Sequence, residues 1–220
     1  MTKHLLYVSG PPGSGKSTLV AHLTRGLPTN VMQWMEPTPN VATNVRGTLW
    51  LQEYVTPAGS VWEPGKGTPG TTKGAAHRGT DLLSHSVQPH AEHWLRTTTP
   101  SMALYEGCQV LASRTFLDLV LGLGYRLSVV YMAMPERDRQ ARVEARGYSS
   151  WDPKWQQGLH TRTLRLAAEY GATMVPAWLP VQEIAETVAR LSPVAGALLA
   201  ARPACPPLET QPELGLFAGD

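Results

Sequence analysis

The chain has 220 residues, 42% hydrophobic and 16% charged, with a net charge of +2. That length suits a single domain burying about 70% of its unfolded surface; the charge neither demands nor excludes a polyanionic partner, although a non-specific nucleic-acid binder would be more basic. Its two cysteines, Cys108 and Cys205, fit neither a disulfide framework nor a metal-ligand spacing, and no apolar run reaches bilayer length, so a cytoplasmic location with no membrane partner is expected.

Residues 4–9 predict a first strand and 16–25 a helix, and between them lies GPPGSGKST, Gly10 to Thr18. Strand, glycine-rich turn and helix in that order define a P-loop. Gly10, Gly13 and Gly15 allow backbone conformations that a Cβ would forbid, and with Pro11, Pro12 and Ser14 they turn N–H groups inward as an anion cradle at a helix N-terminus. Lys16 is spaced to reach the β- and γ-phosphates of ATP, Ser17 to ligate Mg²⁺, and Thr18 to continue the first helical turn. An empty glycine-rich turn would give Lys16 and Ser17 no reason to stand at those offsets.

Residues 30–35 (NVMQWM) read as a second strand closing a βαβ unit, and Val45, Leu49, Leu51 and Tyr54 as a helix. Residues 56–80 are rich in Gly, Pro and Thr with Trp62 as the lone large anchor, the composition of a substrate loop. Asp81 opens a helical pattern. Residues 101–105 (SMALY) form a strand that delivers Glu106 to the carboxyl edge, where open parallel sheets place ligands. A helix over 110–123 carries Arg114, and 125–134 (YRLSVVYMAM) is a buried strand. Residues 135–146 (PERDRQARVEAR) form a helix with Arg142 and Arg146 on one face, ending in a Trp-rich loop. Helix 160–170, strand 172–176 and helix 181–191 complete an α/β domain over 1–192, a five-stranded parallel sheet with helices on both faces. Residues 193–220, rich in Pro and Ala, read as a disordered tail.

A P-loop serves kinases, GTPases and ATPases alike. There is no Asn-Lys-X-Asp guanine-reading motif and no strand ending in the Asp-Glu pair of water-activating ATPases. The lone strand-end acid Glu106 and the late helix bearing Arg142 and Arg146 instead resemble the small P-loop kinases, the group of nucleoside monophosphate kinases, gluconate kinase and zeta-toxin kinases. The resemblance implies that the late helix and the Trp-rich loop form an arginine-rich lid over 136–158, whose arginines fold over the phosphates, where phosphoryl transfer needs positive charge. A solvated helix face is the competing account of those arginines. The hydroxyl acceptor needs a carboxylate near it. Asp81 is the first candidate, with His77 and Arg78 beside it to hold an anionic acceptor; its competing role is a helix N-cap. Glu106 is the second, as base or as Mg²⁺ holder, or else as a buried partner of Arg114, itself a substrate-binding candidate. His77, His85, His90 and His93 lack zinc-site spacing.

The segments GTDLLSHSVQPHAEHWL and EGCQVLASRTFLD, with the Trp-rich lid, resemble phage P-loop kinases that include the 5-hydroxymethyluracil DNA kinases of thymine hypermodification. The resemblance implies ATP as donor, a base hydroxymethyl group in phage DNA as acceptor, and a bacterial host cell as location. A base to be modified must leave the stack, and Trp62, Trp151 or Trp155 could receive it, although each could equally serve packing. A small metabolite, nucleotide or nucleotide-sugar acceptor is the alternative, and a non-kinase nucleotide switch or DNA-associated ATPase a further one. In the tail, Glu213, Leu214, Gly215, Leu216 and Phe217 resemble the pentapeptide that docks on bacterial sliding clamps, with Glu replacing the usual Gln. Such a peptide would tether the enzyme to DNA by raising its local concentration.

Overall fold

The computed structural model describes residues 2–23, 29–34, 49–54, 92–93, 95–97, 99–107, 112–145 and 152–202. A four-stranded parallel sheet runs in the order β4 (Met102–Glu106), β1 (Lys3–Ser9), β5 (Tyr125–Ala133), β6 (Thr173–Pro176). Alternation along each strand divides the core in two. Leu5 and Tyr7 of β1 join Tyr105 and Val129 beneath helices α2 (Arg114–Gly122) and α4 (Pro153–Glu169), through Phe116, Leu117, Val120 and Leu166. Leu6 and Val8 face the other way, with Leu104, Val130 and Met132, against α1 (Lys16–Leu23), α5 (Val181–Leu191) and α6 (Pro193–Ala200). Every residue from Leu5 to Ser9 is therefore buried, as a central strand covered on both faces requires.

Local sequence sets the helix starts. Ser113 caps α2 by accepting a hydrogen bond from the Phe116 N–H at 3.2 Å, and Asp152 caps α4 through the N–H groups of Lys154 and Trp155, with Pro153 in its first turn. Helix α4 thus begins seven residues before the expected position 160, and Trp155 lies in its first turn rather than in a loop. Helix α3 (Glu136–Glu144) follows Pro135, near the expected start.

Three expectations change. Residues Thr29–Trp34 (β2) do form a strand, but it pairs antiparallel with Leu49–Tyr54 (β3), from Thr29 opposite Tyr54 to Trp34 opposite Leu49. Among the described residues the parallel sheet therefore has four strands rather than five, and the stretch Leu49–Tyr54 of the expected helix is a strand. A short apolar run satisfies either periodicity, and a pairing partner close in sequence decides for the strand. Third, residues 193–200, expected to open the tail, form α6. Val194, Ala195 and Leu198 recur at helical spacing and are buried in the core. No helix among the described residues is long and apolar enough to cross a membrane.

Candidate functional site

Strand β1 ends at Ser9, and the chain turns through Gly10 to Gly15 before α1 begins. The glycines are required here: Gly10, Gly13 and Gly15 have φ of 144°, 80° and 87°. A Cβ on Gly10 would lie 2.9 Å from the Met132 carbonyl oxygen, and one on Gly13 2.8 Å from that of Arg139. The loop is thus pressed between β5 and α3, with no room for a side chain. The first helical hydrogen bond of α1 runs from the Leu19 N–H to the Gly15 carbonyl at 2.9 Å, so residues 16–18 form the first turn, the end of a helix where backbone N–H groups favour an anion. Lys16 is buried, its Nζ donating to the Pro11 carbonyl at 3.1 Å, so the cation already stands inside the loop.

Glu106 approaches from the neighbouring strand. Pairing of β4 with β1 sets Glu106 opposite Val8, two residues before the loop. Gly107 fixes the strand end: its N–H donates to the Val8 carbonyl at 3.2 Å, and its carbonyl accepts from the Tyr7 hydroxyl at 2.9 Å. The ring of Tyr7 stacks on Tyr105 at 4.7 Å, and Tyr105 meets Phe116 edge-on at 5.7 Å. Held in this way, the buried Glu106 carboxylate accepts a hydrogen bond from the Ser17 hydroxyl at 2.7 Å. A hydroxyl and a carboxylate in contact beside a phosphate cradle are hard oxygen donors. They fit Mg²⁺, which takes one or two protein oxygens and completes its shell with phosphate oxygens and water. Among the described residues no group of three His, Cys, Asp or Glu could hold a metal without that help.

Helix α3 covers the loop. Arg142, exposed on this helix, brings Nη1 to 3.5 Å from where a Cβ on Gly15 would stand. The structure therefore brings Lys16, Ser17, Glu106 and Arg142 to one place from α1, β4 and α3. Arg114 goes elsewhere: its Nε and Nη2 each lie 2.7 Å from a carboxylate oxygen of Glu169, an exposed two-point ion pair joining α2 to α4. That pairing excludes it as the partner of Glu106 and ties its guanidinium to α4 rather than to the phosphate cradle. Asp81, His77, Arg78, Arg146, Trp62, Trp151, Cys108, Cys205 and Glu213 to Phe217 lie outside the described residues.

Arg139 and His160 were not singled out by sequence reasoning. Arg139 is buried on α3, and its Nη2 lies 3.4 Å from Nδ1 of His160 on α4. Burial, and then the Arg139 charge, hold His160 below the usual histidine range, with Glu136 opposing. The signal available was helix phase. Val143 is the one large apolar residue of α3, and Arg139, one turn earlier, shares its face.

Residues 1–177 match the family described as P-loop Nucleotide Kinase3. Among curated proteins none matches the chain. Among solved structures, a deoxyadenosine kinase from M. mycoides with products dCMP and a flexible dCDP bound is 13% identical, with a TM-score of 0.42, covering 84% of this chain and 97% of its own. An unliganded sugar kinase from Janibacter sp. HTCC2649 is 15% identical, with a TM-score of 0.45, covering 90% and 98%. With the cradle, the strand-end carboxylate and the overlying arginine in place, and with the family profile spanning most of its length, this chain belongs to the P-loop nucleotide kinases, a nucleotide-binding phosphotransferase on an α/β fold.

Proposed function

We propose that the protein is an ATP- and Mg²⁺-dependent kinase acting on an alcohol, and that its acceptor is the 5-hydroxymethyl group of 5-hydroxymethyldeoxyuridine in phage DNA. The observation that carries the kinase reading is the 2.7 Å contact of Ser17 with Glu106 at the mouth of the cradle that holds Lys16. A cation held by these two oxygens would stand at the end of β4 and draw the γ-phosphate to that side. Glu106 is then a metal-side carboxylate, and the role of base falls to Asp81. The acceptor oxygen attacks the γ-phosphorus, the bond to the β–γ bridging oxygen breaks, ADP leaves, and the hydroxyl proton passes to Asp81. Lys16, Arg142 and Arg146 offset the charge that spreads over the transferring oxygens. His77 and Arg78 would hold an anionic acceptor.

The acceptor rests on the sequence resemblance of residues 79–95 and 106–118 to hydroxymethyluracil DNA kinases. A free nucleoside or nucleotide is the second reading, favoured by the match to a nucleotide kinase family. Glu213 to Phe217 would tether the enzyme to a sliding clamp on newly replicated DNA, in the cytoplasm of an infected bacterium. The test offers γ-labelled ATP with four acceptors: DNA containing hydroxymethyluracil, unmodified DNA, free nucleosides and nucleotides, and sugars. Label retained by the modified DNA alone is expected. Label confined to nucleotides would move the acceptor to the second reading, and label on none would remove the kinase assignment.

A further inference from the structure

Arg139 has the largest side chain sealed from solvent among the described residues, at 1% exposure, on a helix whose other charged residues all face outward. Taking a guanidinium out of water is costly, and an apolar side chain of similar length would fill the same space without that cost. Volume alone therefore does not account for it, whereas its position does. On the side-chain end, Nη2 lies 3.4 Å from Nδ1 of His160. The His160 ring stands 6.5 Å from that of Tyr131 on β5, and Tyr131 pairs with Ser9, the last residue before the loop. On the backbone end, the Arg139 carbonyl oxygen and Cα would be 2.8 Å and 3.3 Å from a Cβ on Gly13. One helical turn further on, Arg142 reaches over Gly15.

We propose that Arg139 is a positioning residue: through His160 it locks α3 onto the P-loop, and so holds Arg142 over the phosphate cradle. The task of Arg142 rests on the phosphoryl-transfer reading; the docking of α3 does not. Arginine donates at every accessible pH, so Nδ1 must accept and the proton of neutral His160 sits on Nε2. The groups facing His160 are Arg139 and Glu136 from α3 and Tyr131 from β5. Protonated His160 would set a second cation against Arg139. The docked state therefore binds fewer protons than the undocked one. Docking is complete above the ordinary histidine value of about 6.5 and weakens as the pH falls below it.

Two measurements on the full chain test this, amide hydrogen exchange over residues 136–144 and steady-state kinetics against pH. Arg139→Leu is expected to exchange about tenfold faster across α3 while β1 and β5 keep wild-type protection. Its kcat should fall about tenfold to a hundredfold, with the KM for ATP nearly unchanged. His160→Gln keeps an acceptor that does not titrate, and should keep α3 protected while removing the loss of kcat that sets in just below pH ~6.5 and leaving the limb of the Asp81 base at lower pH. Should Arg139→Leu fail to fold, His160→Leu reads the same contact from the other side and should accelerate exchange in α3. Wild-type exchange across α3 in the variant that folds, or an unchanged acid limb in His160→Gln, overturns the proposal. Hydrogen exchange needs no acceptor, so failure of the kinase reading would leave it standing.

Discussion

Ser17 and Glu106 are 89 positions apart, yet their hydrogen bond is the contact on which the chemistry turns. A carboxylate sealed from water is costly unless something draws on its charge; beside a phosphate cradle, a hydrated divalent cation would do so. Glu106→Gln preserves shape and hydrogen bonding to Ser17 while removing the charge. The Mg²⁺ concentration needed for half-maximal nucleotide binding should rise about 10- to 100-fold, as titration of Mg²⁺ against a fluorescent ATP analogue would show. An unchanged requirement would return Glu106 to a structural role. At this scale the sequence was legible where chemistry demands a residue type at a fixed offset, as at Gly13, Lys16 and Ser17. Glu106 was legible because a strand end marks a sheet edge. Arg114 was not: its partner Glu169 is 55 positions away, and nothing local shows which carboxylate a surface arginine will meet. Arg139 was legible only through helix phase, one turn before Val143 on the same face of α3; its partner His160 comes from another helix.

The meeting of the P-loop with α3 is the element-scale feature that matters most. Gly13 stands at a φ of 80°, with the Arg139 carbonyl oxygen 2.8 Å from where its Cβ would be. Gly13→Ala faces both a left-handed backbone cost of about 1–2 kcal/mol and a clash that pushes α3 outward. Nucleotide affinity should fall together with thermal stability, measurable by calorimetry and by melting with and without ATP; a variant that loses neither would refute the close approach. Helix α6 makes a different claim. Leu198 is buried against the α1 face of the sheet, so Leu198→Ala should cost about 2–5 kcal/mol in denaturant unfolding. A loss well under 1 kcal/mol would return residues 193–200 to the tail. PVAGALLA reads as low-complexity sequence because alanine and glycine hide the spacing of Val194 and Leu198. The strand Leu49–Tyr54 was misjudged for the opposite reason: its few apolar residues fit two periods, and the choice lies with its partner β2.

Across the whole molecule, the sheet order explains why the site forms where it does. Strand β1 lies between β4 and β5, so the loop after it is flanked on one side by Glu106 and roofed on the other by the helix that follows β5. The alternation of strands and helices made that architecture legible, and the motif located the cradle within it. The acceptor is less legible, because the residues proposed to meet it, His77, Arg78 and Asp81, follow no period or spacing that names a substrate. If Asp81 takes the acceptor proton, Asp81→Asn should bind ATP normally while transfer falls about a hundredfold or more; comparable turnover would leave it a helix cap. The central claim is that the bound γ-phosphate is given to a hydroxyl rather than to water. A rapid-quench measurement of γ-labelled ATP, with and without DNA containing hydroxymethyluracil, tests it directly. The account predicts slow release of inorganic phosphate without acceptor and fast, stoichiometric appearance of label on the DNA with it. Release of inorganic phosphate at one rate in both conditions, with no label on the acceptor, would contradict it.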